Sequence, residues 1–348
     1  MPVTFANPHR GRGLDLDAPF PCSDASGVMQ LLGRCPAHAE TALLDLPELA
    51  ARCGVAQVYL KDERNRMGLG SFKALGAAHA IARAAADRVV DSAWQQALVG
   101  QTYVTASAGN HGLSVAAGAA LFGARAVVYL AETVPESFAA RLRAKGAEVV
   151  REGRDYEASM AGAEIAAEVN GWTLLSDSSW PGYVDLPYLV MEGYLQLAQE
   201  AATQIPQPPT HILLQAGVGG LAAAVAAHAR RTWGDAPQII VVEPEAAPAL
   251  VESIRAGAVV DTAGPVSAMG RLDCKTPSMI ALQGLARDAD LFVTLTEEEA
   301  ATAVTTLADH GLATTPSGVA GIAALLAGLD LPPEARVLAI LSEGPEDA

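Results

Sequence analysis

Lysine is scarce in this chain: of 23 basic residues, only Lys61, Lys73, Lys145 and Lys275 are lysines. Where arginine carries most of the surface charge, a retained lysine is a candidate for chemistry that guanidinium cannot do. Only an amine can lose its proton and attack a carbonyl. Lys73 stands in "LGSFKALGA" (69–77), before a run of small helix formers. Ser71 reads as the N-cap of that helix. Lys73 then lies in its first turn, where the positive end of the dipole lowers an ammonium pKa. That environment suits a Schiff-base lysine. The competing reading is a solvated lysine at a helix start.

Two further segments place small residues where a strand runs into a helix. In "TASAGNHG" (105–112), Gly109 permits a sharp turn. The amides of Asn110 to Gly112 open a helix and face a carboxylate or phosphate. Asn110 adds a donor and an acceptor. His111 is a candidate general base, or else a cap or packed side chain. In "QAGVGGLAAAVA" (215–226), Gly217, Gly219 and Gly220 let the backbone fold around a phosphate at a helix start. This spacing overlaps a dinucleotide motif, with Ala222 in the third glycine's place and Glu243 near the acidic position. A nicotinamide-dependent oxidoreductase is therefore a competing reading. A lysine for an aldehyde, a glycine loop for a phosphate and an Asn turn for a ring hydroxyl and a carboxylate together describe pyridoxal phosphate. A dinucleotide enzyme would leave "SFK" and "SAGNHG" without a task.

The elements that must hold these segments alternate. Apolar β-rich runs at 57–62, 102–107, 125–131, 148–152, 173–178, 210–217, 238–244, 291–296 and 336–344 are separated by Ala-rich helical stretches. Such alternation predicts parallel sheets covered by helices on both faces. Nine strands are many for one sheet, so two α/β layers are expected. Residues 1–74 and 191–348 would form the larger domain, and 75–190 a smaller inserted one. Asp177 ends the run 173–178, where open α/β sheets place their ligands.

Composition narrows the partners. The 348 residues are 51% hydrophobic and 18% charged, as in a soluble globular enzyme. A net charge of −16 without a basic patch argues against nucleic acid and anionic membranes. "MPVTFANPHRGRG" lacks the apolar stretch of a signal peptide, and no apolar run reaches the ~18 residues of a membrane span. Cys22, Cys35, Cys53 and Cys274 are scattered without a C-x-x-C pair. A disulfide framework or zinc site is not expected, no metal-ligand cluster appears, and a reducing cytoplasm fits.

"KDERNRMGLGSFKALGA", "SAGNHG", "AGVGGL" and "LSEGPED" resemble the tryptophan-synthase-β (fold type II) pyridoxal-phosphate enzymes. More closely, "YLKDERNRMGLGSFKALGA", "SDSSWPGYVDLPYLVMEGY" and "AMGRLDCKTPS" are similar to segments of the diaminopropionate ammonia-lyase family, over roughly residues 40–345. The resemblance implies two three-layer α/β domains with mainly parallel sheets and a homodimer. It implies elimination on a small amino acid with a β-leaving group, giving a 2-oxoacid and ammonia. Lys73 would hold the cofactor and then serve as the α-proton base. Phe72 would pack beside the ring, Asn110 would bond the ring oxygen, and Ser342 would face the pyridine nitrogen. Gly217, Val218, Gly219, Gly220 and Leu221 would cradle the phosphate. Ser107, Ala108, His111 and Asp177 would face the substrate, Asp177 as a second acid–base or ammonium-binding group.

Two departures stand out. The family writes an acidic residue where Ala108 stands, and "SAGNHG" is the spelling of threonine and serine dehydratases. Pro316-Ser317 stands where Glu-Ser is expected. A dehydratase for serine, threonine or 3-hydroxyaspartate, or a racemase of the same fold, is the near rival. A catalytically silent sensor on this fold is a third, against which the intact Lys73 weighs.

Overall fold

Apolar runs that bury both faces become the inner strands of two sheets. The computed structural model describes residues 2–345. Its strands are β1 (Val3–Ala6), β2 (Leu43–Asp45), β3 (Gln57–Asp62), β4 (Thr102–Ala106), β5 (Arg125–Leu130), β6 (Glu148–Arg151), β7 (Thr173–Leu174), β8 (His211–Gln215), β9 (Gln238–Pro244), β10 (Leu291–Leu295) and β11 (Arg336–Leu341). The larger sheet runs β1-β10-β9-β8-β11-β3-β2 and the smaller β6-β5-β4-β7. All neighbours are parallel except the two edge pairs of the larger sheet, β1 with β10 and β2 with β3.

Each of the nine expected runs forms a strand. The run 173–178 stops at Leu174, because its ladder runs out. Leu175 N still reaches Val104 O, but Ser176 N turns to the Tyr183 hydroxyl at 3.1 Å. The last strand likewise ends at Leu341, where Ser342 N turns to Gly318 O. Strands β1 and β2 were not expected. They are short, half-exposed antiparallel edges, without the apolar run that marks a buried strand.

Helices cover both faces of both sheets. One apolar cluster runs between the two sheets and includes Leu75, Val128, Leu130, Val190, Tyr194 and Leu214. A second covers the outer face of the larger sheet through Leu49, Leu60, Leu213, Ile240 and Ile322. A third, with Val104, Val127 and Ala163, covers the outer face of the smaller one. Each sheet is therefore the middle of three layers. Among the described residues no helix is long and apolar enough to cross a membrane.

A buried charge network anchors the segment that leads to Lys73. Lys61 on β3 is fully buried and donates to Thr41 O (2.7 Å) and Gln204 Oε1 (2.9 Å), and pairs with Glu200 (2.8 Å). Arg66 is fully buried too and clamps Glu63 and Glu200 at 2.7 Å each. Two cations and two carboxylates balance, which is the condition for keeping charge inside a core. Lys61 is thus a structural lysine.

Candidate active site

The site gathers at the carboxyl ends of inner strands from both sheets. The helix Lys73–Ala86 begins at Lys73 itself, with Phe72 at the N-cap. Ser71 sits one residue earlier than expected. Its backbone bridges to Glu343 and Phe72 N donates to Ser342 O at 3.1 Å, so the last strand fixes where the helix starts. Ser71 Oγ still accepts from Lys73 N at 3.3 Å.

Lys73 Nζ donates to Asp177 Oδ2 in a close ion pair. Burial works against the ammonium, but the facing carboxylate outweighs it and holds the amine above its ordinary value. This overturns the expected dipole-depressed amine: a full charge in contact exceeds the roughly half charge of a helix end. Burial likewise disfavours the Asp177 carboxylate, and the Lys73 charge outweighs burial, so Asp177 stays ionised below the usual carboxylate range. Asp177 lies three residues beyond β7 rather than at a strand end. Phe72 meets Tyr194 edge-on, with ring centroids 4.9 Å apart.

The Asn turn joins β4 to the helix Asn110–Leu121. Gly109 is extended there (φ −142°). Its turn does not demand glycine by φ; a Cβ would instead touch the Arg271 side chain at 3.4 Å. Ser107 Oγ accepts from Gly109 N (3.2 Å) and Gly112 N (3.0 Å), so the hydroxyl holds the turn together. Ala108 is exposed. Asn110 Nδ2 donates to Glu343 Oε2 at 2.6 Å. His111 is buried, and its Nε2 lies 2.8 Å from Leu175 O. A carbonyl only accepts, so Nε2 carries the proton and Nδ1 keeps a buried lone pair without a hydrogen-bond partner. Burial, against the pull of Asp177, lowers the His111 pKa and keeps the ring neutral.

The glycine loop precedes the helix Gly220–Trp233. Gly219 has φ +98°, and a Cβ there would come within 2.9 Å of the Ala281 Cβ. A Cβ on Gly217 would meet Cys274 Sγ at 2.9 Å and Arg271 O at 3.0 Å. Val218 O accepts from Ser278 N at 3.0 Å. Ser278 Oγ in turn lies 2.7 Å from Ser179 Oγ, two residues past Asp177. Leu221 is buried in the first helical turn, and Ser342 is buried just beyond β11. Glu243, the acid a dinucleotide site would need, is buried and accepts from Leu250 N and Val251 N at 2.7 and 2.8 Å. It caps a helix, and both of its carboxylate oxygens are taken by these backbone N–H groups.

Four residues that contiguous motifs do not single out complete the surroundings. Tyr194 stands between Phe72 and Gly220, whose Cβ would lie 3.5 Å from its ring. Burial, and then the Asp177 charge, pushes the Cys274 thiol up to about 12, so it is a neutral wall and not a nucleophile. Arg271 lies over Gly109 with Nε 3.9 Å from Glu343 Oε2. Glu343 follows Ser342 and reaches Asn110. All four stand inside segments that carried the family resemblance, and that was their only signal. Among the described residues, no group of three His, Cys, Asp or Glu side chains is placed to hold a metal ion.

The sequence model of the family described as "Pyridoxal-phosphate dependent enzyme" matches residues 35–343. A diaminopropionate ammonia-lyase of Escherichia coli is 30% identical over 94% of this chain and 90% of its own length. The chain belongs to the diaminopropionate ammonia-lyase family of pyridoxal-phosphate dependent enzymes. The family member from Salmonella typhimurium is 34% identical over 73% of this chain and 68% of its own. A crystal structure of the Escherichia coli family member, in complex with an aminoacrylate-PLP azomethine reaction intermediate, superposes with a TM-score of 0.88 at 28% identity. It covers 100% of this chain and 94% of that one.

The residues present fit the family's cofactor. A Cβ is excluded by collision at Gly217 and at Gly219, and the first-turn amides that follow have no partner within their helix. An amine stands at the start of a second helix, a side-chain amide at the start of a third, and a buried serine closes the far side.

Proposed function

We propose that this enzyme eliminates ammonia from a small β-amino-substituted amino acid of the 2,3-diaminopropionate type, releasing a 2-oxoacid and ammonia. The observation that carries the reading is the Lys73–Asp177 pair: an amine and an ionised carboxylate in contact, near the glycine loop through Cys274. Bound pyridoxal phosphate supplies an electron sink that makes the substrate's α-proton acidic. The chain does the rest. Lys73 holds the cofactor's aldehyde carbon in the resting enzyme, and its freed amine takes the α-proton. Residues 217–221 hold the phosphate, Asn110 donates to the ring oxygen, Phe72 flanks the ring and Ser342 faces its nitrogen. The turn receives the substrate carboxylate on the amides of Ala108 and His111, while Ser107, whose own N–H donates to Tyr129 O, holds the turn through its hydroxyl.

Asp177 binds the β-ammonium. As a carboxylate it accepts from the substrate's β-ammonium, in the place that the Lys73 ammonium takes in the structure. It keeps the β-nitrogen protonated, so the departing group is neutral ammonia. Ala108 offers only a methyl, so no carboxylate stands before the turn glycine to serve as a base on the opposite face. The enzyme is therefore L-selective. A dehydratase of the same fold is the second reading, favoured by the "SAGNHG" spelling. The released 2-oxoacid, measured with diaminopropionate, serine, threonine and 3-hydroxyaspartate, separates them. Diaminopropionate should show the highest kcat/KM; a higher value for any hydroxyamino acid would reverse the assignment.

The same reading divides the chain into a larger body (1–74 and 191–348) and a smaller one (75–190), which the two separate sheets support. It takes the assembly to be a homodimer in the cytoplasm, with free cysteines fitting a reducing compartment. Sedimentation at several concentrations tests the dimer.

A further inference from the structure

We infer that Glu343 is the positioning residue for Asn110. Its carboxylate fixes which face of the Asn110 amide meets the cofactor ring, and it ties the smaller sheet's Asn turn to the last strand of the larger sheet. This rests on the assignment of Asn110 to the ring oxygen made above.

The geometry is specific. The Glu343 backbone is pinned on two sides. Thr314 Oγ1 donates to Glu343 O at 2.6 Å, and Gly344 N donates to Gly70 O at 3.0 Å, with a bridge to Ser71 between. The side chain is pinned as well. Thr315 Oγ1 donates to Oε1 at 2.5 Å, and that same hydroxyl accepts from Gly318 N. The carboxylate is almost fully buried and presents Oε2 to Asn110 Nδ2 at 2.6 Å. The two residues are 233 positions apart and follow strands of different sheets, β4 and β11.

The chemistry gives this contact a direction. A carboxylate only accepts, so the Asn110 atom facing it must be the NH₂ group. A ring oxygen that carries negative charge also only accepts. Both need the same NH₂, which has two hydrogens. With Glu343 in place, the amide presents its second N–H and not its carbonyl oxygen. Without it, two flipped orientations compete, and one turns an oxygen towards an oxygen. Glu343 therefore acts through Asn110 and does not need to touch the cofactor.

A double-mutant cycle over Glu343→Ala and Asn110→Ala tests this. The readouts are the dissociation constant for pyridoxal phosphate and the pH dependence of the visible absorbance of the bound cofactor. Glu343→Ala should weaken cofactor binding about tenfold and shift the absorbance titration. Glu343→Gln, whose side-chain oxygen still accepts, should stay within about threefold of wild type. In the Asn110→Ala background, Glu343→Ala should change neither readout by more than about twofold. If the alanine variant does not fold, Glu343→Met, of equal length, completes the same cycle. Effects that multiply independently would overturn the positioning role alone. An Asn110→Ala variant with wild-type affinity and absorbance would overturn it together with the ring-oxygen assignment.

Discussion

Lys73 and Asp177 set each other's ionisation, and that coupling decides their tasks. In the proposed reaction the substrate's β-ammonium takes the amine's place beside Asp177 and leaves the freed Lys73 amine to act as the base. Lys73→Ala should fold, lose the visible absorbance of bound cofactor and lose turnover by at least about 10²-fold. Lys61→Ala should instead leave a folded fraction with normal absorbance. A coloured, active Lys73→Ala protein would mean that another lysine holds the cofactor. At Ala108 the prediction is stereochemical. L-diaminopropionate should be strongly preferred over D, and equal turnover of the two, measured by 2-oxoacid release, would require a second base that Ala108 does not supply. Most of these residues were legible in the sequence because each sits in a contiguous strand-to-helix motif. Glu343, Arg271, Tyr194 and Cys274 were not. Their contacts join chain segments far apart, such as the Asn110–Glu343 hydrogen bond across 233 positions, and no local pattern encodes such a meeting.

At the scale of elements, the glycine loop separates two kinds of glycine. Gly219 has a backbone that side chains avoid and no room for a Cβ, whereas a Cβ on Gly220 would make ordinary contact with Tyr194 at 3.5 Å. Gly219→Ala should therefore destabilise by about 1–3 kcal/mol from backbone strain alone. Gly220→Ala should be neutral or stabilise by about 0.4–1 kcal/mol. Chemical denaturation of the two variants checks the contrast, and a Gly219→Ala protein as stable as wild type would refute the strained turn. The same scale shows where sequence reading stops. Parallel strands buried on both faces announce themselves as apolar runs, and all nine formed. The edges β1 and β2 carry no such run, and the end of β7 is set by a hydrogen bond from Ser176 to the Tyr183 hydroxyl. The start of the Lys73 helix is set by pairing with the last strand, not by Ser71 as a cap.

At the scale of the whole molecule, charges inside the core and charges across the cleft do different work. Burial disfavours the Glu200 carboxylate, but hydrogen bonds from Arg66, and then Lys61, outweigh it and lower its pKa from 4.5 to about 2. A depressed folded-state pKa contributes stability above pH 4.5, and that stability is lost as pH falls through about 2. Glu200→Gln should destabilise by about 3–5 kcal/mol at neutral pH by leaving buried cations undercompensated. Its stability should fall less steeply than the wild type's between pH 4.5 and 2. Identical acid limbs in wild type and variant would show that the network does not carry this dependence. The cleft pair is different in kind: Lys73 follows a strand of the larger sheet and Asp177 a strand of the smaller, so only the assembled molecule brings them together. The most direct test of that pairing is the turnover of Asp177→Asn on two substrates that differ only in the β-substituent. On 2,3-diaminopropionate, whose ammonium needs the carboxylate, turnover should fall by about 10²-fold or more. On 3-chloroalanine, whose chloride leaves unaided, it should fall by less than about tenfold. Equal impairment on both would contradict the assignment of Asp177 to the departing ammonia.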